Sequence, residues 1–102
     1  MTGEAHIEAA GEGRYLLCGE LSFATVPALL REVDTPFNGQ EQVILDLERV
    51  TRADSAGLAL LVEWVRRARQ RSTPLTIRNM PPQLQGMAKV AGLDRVLSLN
   101  GN

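Results

Sequence analysis

Short apolar blocks separated by turn-forming residues run the length of this chain, and their period changes from block to block. Residues 6–10 and 14–19 are apolar-rich runs flanking Gly11-Glu12-Gly13, which predicts a β-hairpin with a three-residue glycine turn. Residues 23–33, FATVPALLREV, follow a helical pattern, with Pro27 near the start where its missing N–H costs little. Residues 34–42 contain Pro36, Asn38 and Gly39 and predict a loop. VILDL, residues 43–47, is a nearly continuous apolar run, as expected of a strand buried on both faces.

From residue 55 to about residue 70 the pattern turns helical, with Leu58, Leu61, Val62, Val65 and Ala68 defining one face. Ser72-Thr73-Pro74 ends that element, and LTIR, residues 75–78, is the next strand. Pro81 and Pro82 precede a short helix over 83–91, with Leu84, Met87, Ala88 and Ala91 on one side and Gly92 as its stop. Residues 96–99 predict a last short strand or an extended tail. This alternation predicts an α/β fold. The sheet is mixed and mostly parallel, with four to five strands and helices packed mainly on one face. At 102 residues the chain reads as one domain spanning 1–102.

The phase of the long helix carries a second expectation. With Leu58 at the centre of the buried stripe, Leu60 points nearly the opposite way, with Ala56 on its flank and Trp64 at the margin. An exposed leucine beside the only tryptophan is the kind of anchor found at interfaces. The plainer alternative is that Trp64 caps the edge of the core.

Composition narrows the function classes. The hydrophobic fraction is 44% and the formal net charge −1, so nothing global draws the chain to nucleic acid or an anionic membrane. The longest unbroken apolar run, Leu58 to Val62, is far too short to span a bilayer, and the first residues lack a secretory pattern. A cytoplasmic protein with no direct membrane insertion is expected. Cys18, the only cysteine, lies in an apolar run and reads as a small core residue. His6 is the only histidine, so no nucleophile–base pair has an alternative partner. There is no CxxC, HExxH or phosphate loop, and no metal, cofactor or catalytic residue is expected. Asp46, Glu48 and Asp54 could gather at the end of the central strand, a weak signal for acid–base chemistry. Arg66, Arg67, Arg69 and Arg71 read as a solvated helix end whose cations complement the helix dipole.

The most informative stretch is VTRADSAGLALL, residues 50–61. Asp54 is placed to cap the helix, accepting from the free N–H groups of the first turn. Gly57 in that turn costs up to about 1 kcal/mol relative to alanine, so something must approach closely there. Ser55 stands at the positive end of the helix dipole, where a phosphate would meet free N–H groups and change the charge of any docked surface.

VILDLERVTRADSAGLALLVEW resembles the STAS family, in which Asp-Ser/Thr-x-Gly-Leu opens a helix after a buried strand. The resemblance extends over nearly the whole chain, including Val90-Ala91-Gly92-Leu93. It implies a non-enzymatic α/β domain that binds partner proteins, with Ser55, Asp54, Ala56, Gly57, Leu60 and Trp64 as the contact residues. Two branches differ in the partner. Anti-sigma factor antagonists usually carry Asp-Ser-Ser-Gly-Leu-Gly, and a kinase partner phosphorylates the serine that matches Ser55. DLERVTRADSAGLALL is more similar to the MlaB branch, the STAS subunit of a phospholipid-moving ABC transporter that maintains outer-membrane lipid asymmetry. That resemblance implies docking on an MlaF-like ATPase subunit within a complex containing a membrane permease, at the cytoplasmic side of the inner membrane.

Overall fold

A computed structural model describes residues 4–37 and 40–97, with side chains for all of these but 33–37. Its four-stranded sheet has the order β1-β2-β3-β4, made of β1 (Ala5–Gly11), β2 (Arg14–Leu21), β3 (Val43–Ala53) and β4 (Leu75–Arg78). β1 pairs antiparallel with β2, while β2–β3 and β3–β4 are parallel. The parallel links run through α1 (Val26–Phe37) and α2 (Ser55–Gln70), and α3 (Pro82–Val90) follows β4. The expected mixed, mostly parallel sheet is what forms.

The hairpin turn is tighter than the glycine pattern predicts. Gly11 pairs with Arg14, so only Glu12 and Gly13 lie between the strands, both at positive φ (57° and 80°). Two such residues give the turn whose twist matches that of the flanking strands, and the odd residue becomes a bulge between Ala9 and Gly11.

Alternation along the strands separates the two sheet faces. Tyr15, Leu17 and Leu21 of β2 and Val43, Leu45 and Leu47 of β3 are buried, and they share a core with Leu29, Leu60, Leu61, Trp64, Leu84 and Leu97. The intervening Leu16, Ile44 and Asp46 are only half-buried, and Arg14, Thr76 and Arg78 are exposed. The helices therefore cover one face and leave the other open. Cys18 is buried but belongs to the open face, outside the core cluster, directly opposite His6 of β1.

Three elements depart from the sequence reading. α1 starts at Val26 rather than residue 23, because Ser22 and Thr25 close a hydrogen-bonded turn in front of it. It then continues through Pro36 to Phe37, where a proline at the last turn removes a single hydrogen bond. Residues 94–97 form turns rather than a fifth strand, with Leu97 buried and its N–H donating to Leu93 O at 3.0 Å; the rest of that expected strand lies outside the described residues.

The third departure is the phase of α2. Its buried residues are Gly57, Leu58, Leu60, Leu61, Trp64, Val65 and Ala68. At about 100° per residue this is an arc roughly 160° wide, centred near Leu61 and Ala68. α2 lies on the sheet and also touches α1 and α3, so its covered arc is wide. Centring the stripe on Leu58 turned the arc too far toward Val62, which is only half-buried.

The far end of α2 is held by local polar contacts. Thr73 N–H donates to Ala68 O at 2.8 Å and Ser72 N–H to Arg69 O at 3.0 Å, with Ser72 at φ 54°. This is the left-handed helix stop that normally uses glycine. Glu63 accepts from Arg66 at 2.7 Å and from Arg67 at 2.9 Å. The hydrogen bonds from Arg66 and then Arg67 lower its carboxyl pKa from 4.5 to about 2.

Two predictions follow from this helix. Ser72→Gly relieves the left-handed conformation and is expected to stabilise the fold by about 1 kcal/mol in urea unfolding. Because the folded pKa of Glu63 is depressed, its contribution is present above pH 4.5 and is lost as pH falls to about 2. Solvent screening keeps that contribution to about 1 kcal/mol or less. The stability gap between wild type and Glu63→Gln should therefore be constant near neutrality and close across that acid window.

Candidate docking surface at the start of helix α2

Asp54 does more than cap α2. Its Oδ1 accepts from Ala56 N–H at 2.8 Å, and its extended backbone (φ −116°, ψ −168°) delivers the carboxylate to the first turn. Oδ2 accepts from Phe23 N–H at 3.4 Å, and its own N–H donates to Leu21 O at 3.0 Å. One side chain thus joins the β3–α2 junction to the β2–α1 loop.

That loop is held by its own hydrogen bonds. Ser22 N–H donates to Thr25 Oγ1 at 2.9 Å, Thr25 Oγ1 donates to Glu20 O at 2.6 Å, and Ala24 N–H donates to Ser22 Oγ at 3.2 Å. Phe23, at the tip, is 74% exposed. A large aromatic ring is thereby held in solvent on a fixed turn beside Asp54.

Gly57 faces inward. A Cβ there would lie 2.8 Å from Leu21 Cβ and 3.3 Å from Leu21 O, so the close approach inferred from sequence is to the end of β2 rather than to a partner. Ser55 is exposed on the first turn, and Ala56 is half-buried. Beside Ser55 a groove of about 480 Å³ opens between α2 and α3, lined by Leu58, Pro82, Gly86, Met87 and Val90. Val90 is 92% exposed, and with Phe23 it makes up the exposed large hydrophobics among the described residues.

Of the expected contact residues, the structure gathers Asp54, Ser55 and Ala56 at this surface. It removes Leu60 and Trp64, which are 1% and 0% exposed and belong to the core. Neither can anchor a partner, because the wide covered arc of α2 includes both. Phe23 and Val90 take the exposed apolar role, and sequence reasoning missed them by counting Phe23 within a helix and Val90 within a terminal motif. The Ser22-x-x-Thr25 spacing, a helix-start pattern, was the available signal for Phe23.

The acids do not gather. Asp46 lies on the open sheet face, accepting from Glu48 N–H at 2.9 Å and Asn79 Nδ2 at 3.0 Å. Asp54 is eight residues further along an extended strand, about 26 Å away at 3.3 Å per residue. Candidate metal ligands meet elsewhere: His6, Glu8 and Cys18 converge on the open face. No helix among the described residues is long and apolar enough to cross a membrane.

Comparison with known proteins gives a consistent set. Residues 7–99 match the family model described as "Mlab, STAS domain". The anti-sigma-B factor antagonist of Staphylococcus aureus (strain NCTC 8325 / PS 47) is 32% identical over 84 residues, covering 80% of this chain and 77% of that protein. Among solved structures, the anti-sigma factor antagonist SpoIIAA in its unphosphorylated form aligns with TM-score 0.70 at 20% identity, covering 89% of this chain and 83% of that one. The murine Slc26a9 anion transporter aligns with TM-score 0.67 at 15% identity, covering 91% of this chain but 18% of that one. These two structures share the fold.

The geometry sets two expectations. Gly57→Ala should destabilise the domain by about 1–3 kcal/mol in denaturant unfolding, because the added methyl group meets Leu21. Leu60→Glu should abolish folding as thoroughly as Leu61→Glu, read by loss of the cooperative thermal transition, since both bury a charge in the core.

Proposed function

The chain belongs to the STAS domain family, and from that premise we propose that it is a non-catalytic docking module whose surface around Ser55 binds an ATP-binding protein. The observation that carries this reading is the apolar α2–α3 groove beside the exposed Ser55, with Val90 on its rim and Phe23 exposed on the turn bonded to the neighbouring Asp54. Exposed apolar residues rimming a polar site mark interaction surfaces. Ser55 sits at the positive end of α2, where a phosphate would be accommodated and would alter the docked surface.

Two partner classes have support, and the relatives support the first of them better. The name of the Staphylococcus aureus relative favours an anti-sigma factor antagonist, with Ser55 phosphorylated by an anti-sigma factor kinase. The description "Mlab, STAS domain" supports the other reading only as far as that name, and the resemblance of residues 46–61 implies the rest: a subunit of a phospholipid-moving ABC transporter docked on an MlaF-like ATPase. The Asp54-Ser55-Ala56-Gly57-Leu58-Ala59 sequence agrees with the latter, since it lacks the second serine and second glycine usual in antagonists. In that reading the chain reaches the inner membrane only through the ATPase and its permease.

Binding to each candidate partner from the same organism, measured by calorimetry with and without ATP, separates the readings. Phe23→Ser and Val90→Glu should leave thermal stability within about 0.5 kcal/mol of wild type. Each should weaken the complex by about 2 kcal/mol or more. Ser55→Asp should weaken it as well. Stoichiometric phosphate on Ser55 by mass spectrometry supports the antagonist, and a phosphate-free complex with the ABC ATPase supports the transporter subunit. Affinity for both partners unaffected by all three substitutions would remove this surface from function.

A further inference from the structure

The antiparallel register of β1 and β2 brings three side chains of metal-binding chemistry onto the open face of the sheet. His6 and Cys18 are direct cross-strand partners, and Glu8, two residues along β1, projects from the same face. His6 Nε2 lies 2.8 Å from Glu8 Oε2, and the ligand atoms of all three residues fall within 4.8 Å of one another. We propose that His6, Glu8 and Cys18 form a zinc site that clips β1 to β2 on the open face, opposite the helix layer.

The donor set suits this ion. Imidazole, carboxylate and thiolate are all zinc ligands, at about 2.0–2.3 Å, and three protein ligands leave a fourth tetrahedral position for water. Tetrahedral geometry at those lengths spaces the donor atoms about 3.3–3.6 Å apart. The His6–Glu8 contact must open by about half an ångström, and no other separation need close by more than about 1.5 Å. The side chains that move are free to do so, being 57% exposed at His6 and 46% at Glu8. Cys18 is 7% exposed and supplies the fixed, shielded donor, losing its thiol proton to solvent as the sulfur–zinc bond forms. Its Sγ–H donates to Leu16 O at a long 3.9 Å. Arg49 Nη1, 3.6 Å from Glu8 Oε1, competes for one carboxylate oxygen while the other faces His6. A linear search for ligand motifs misses the set, because the hairpin rather than the chain spacing assembles it.

The test uses the full chain, free of any affinity tag and kept reduced by a phosphine. Zinc chloride alone is titrated against a chromophoric chelator, and cobalt(II) alone is followed by absorbance. About one zinc should bind per chain, and cobalt should show a thiolate-to-metal charge-transfer band that Cys18→Ser abolishes. His6→Ala and Glu8→Gln should each weaken zinc binding about tenfold or more. Both side chains are exposed, so in chelator these variants should melt like wild type. At one zinc concentration, the melting temperature should then rise more for wild type than for either variant. Failure to compete with the chelator, cobalt binding without a charge-transfer band, or equal affinity in His6→Ala would overturn the site. Loss of partner binding on changing Phe23 or Val90 bears on neither result.

Discussion

The seating of the first turn of α2 on the last residue of β2 sets the geometry of the whole surface. Gly57 admits Leu21 within a distance that a methyl group would not allow. Asp54 fixes the same junction through Leu21 O, Ala56 N–H and Phe23 N–H. Leu21 is itself fully buried, so the position of the helix start is dictated from the core. Phe23, Ser55 and the α2–α3 groove inherit their relative positions from that contact.

The sequence was most legible where one physical signal acted alone. The bounds of α2 and β4 follow from period and punctuation: the Asp54 cap, Ser72-Thr73-Pro74, and the short apolar LTIR run. The face of α2 was not legible, because periodicity gives the direction of an apolar stripe but not the number of neighbours that widen it. Leu60 and Trp64 are buried on a helix that touches α1 and α3 as well as the sheet. Phe23 was hidden for a related reason. An aromatic ring next to a helical pattern reads as part of it until the hydrogen bonds of Ser22 and Thr25 show the helix beginning later.

The two sheet faces carry different chemistry. The covered face holds the leucine-rich core, whereas the open face bears His6, Glu8, Cys18, Asp46, Arg49 and Arg78. Asp46 there accepts from Asn79, whose backbone is left-handed at φ 57°, so the polar face also fixes the chain as it leaves β4. β1 at one edge and the four-residue β4 at the other each pair with a single strand. Local opening should start from such edges, where few apolar contacts must be broken.

The turn that carries Phe23 has a kinetic consequence. Its backbone is already held by Ser22, Thr25 and Asp54, so under the proposed docking role a partner would meet a preformed turn rather than a loop that must be immobilised. Fixing backbone costs about 1–2 kcal/mol per residue, so a turn already held leaves only the ring's own rotamers to be ordered on contact. Under that role encounter would need no slow rearrangement on this side, and differences between the two candidate partners would be expressed as differences in how long each complex lasts.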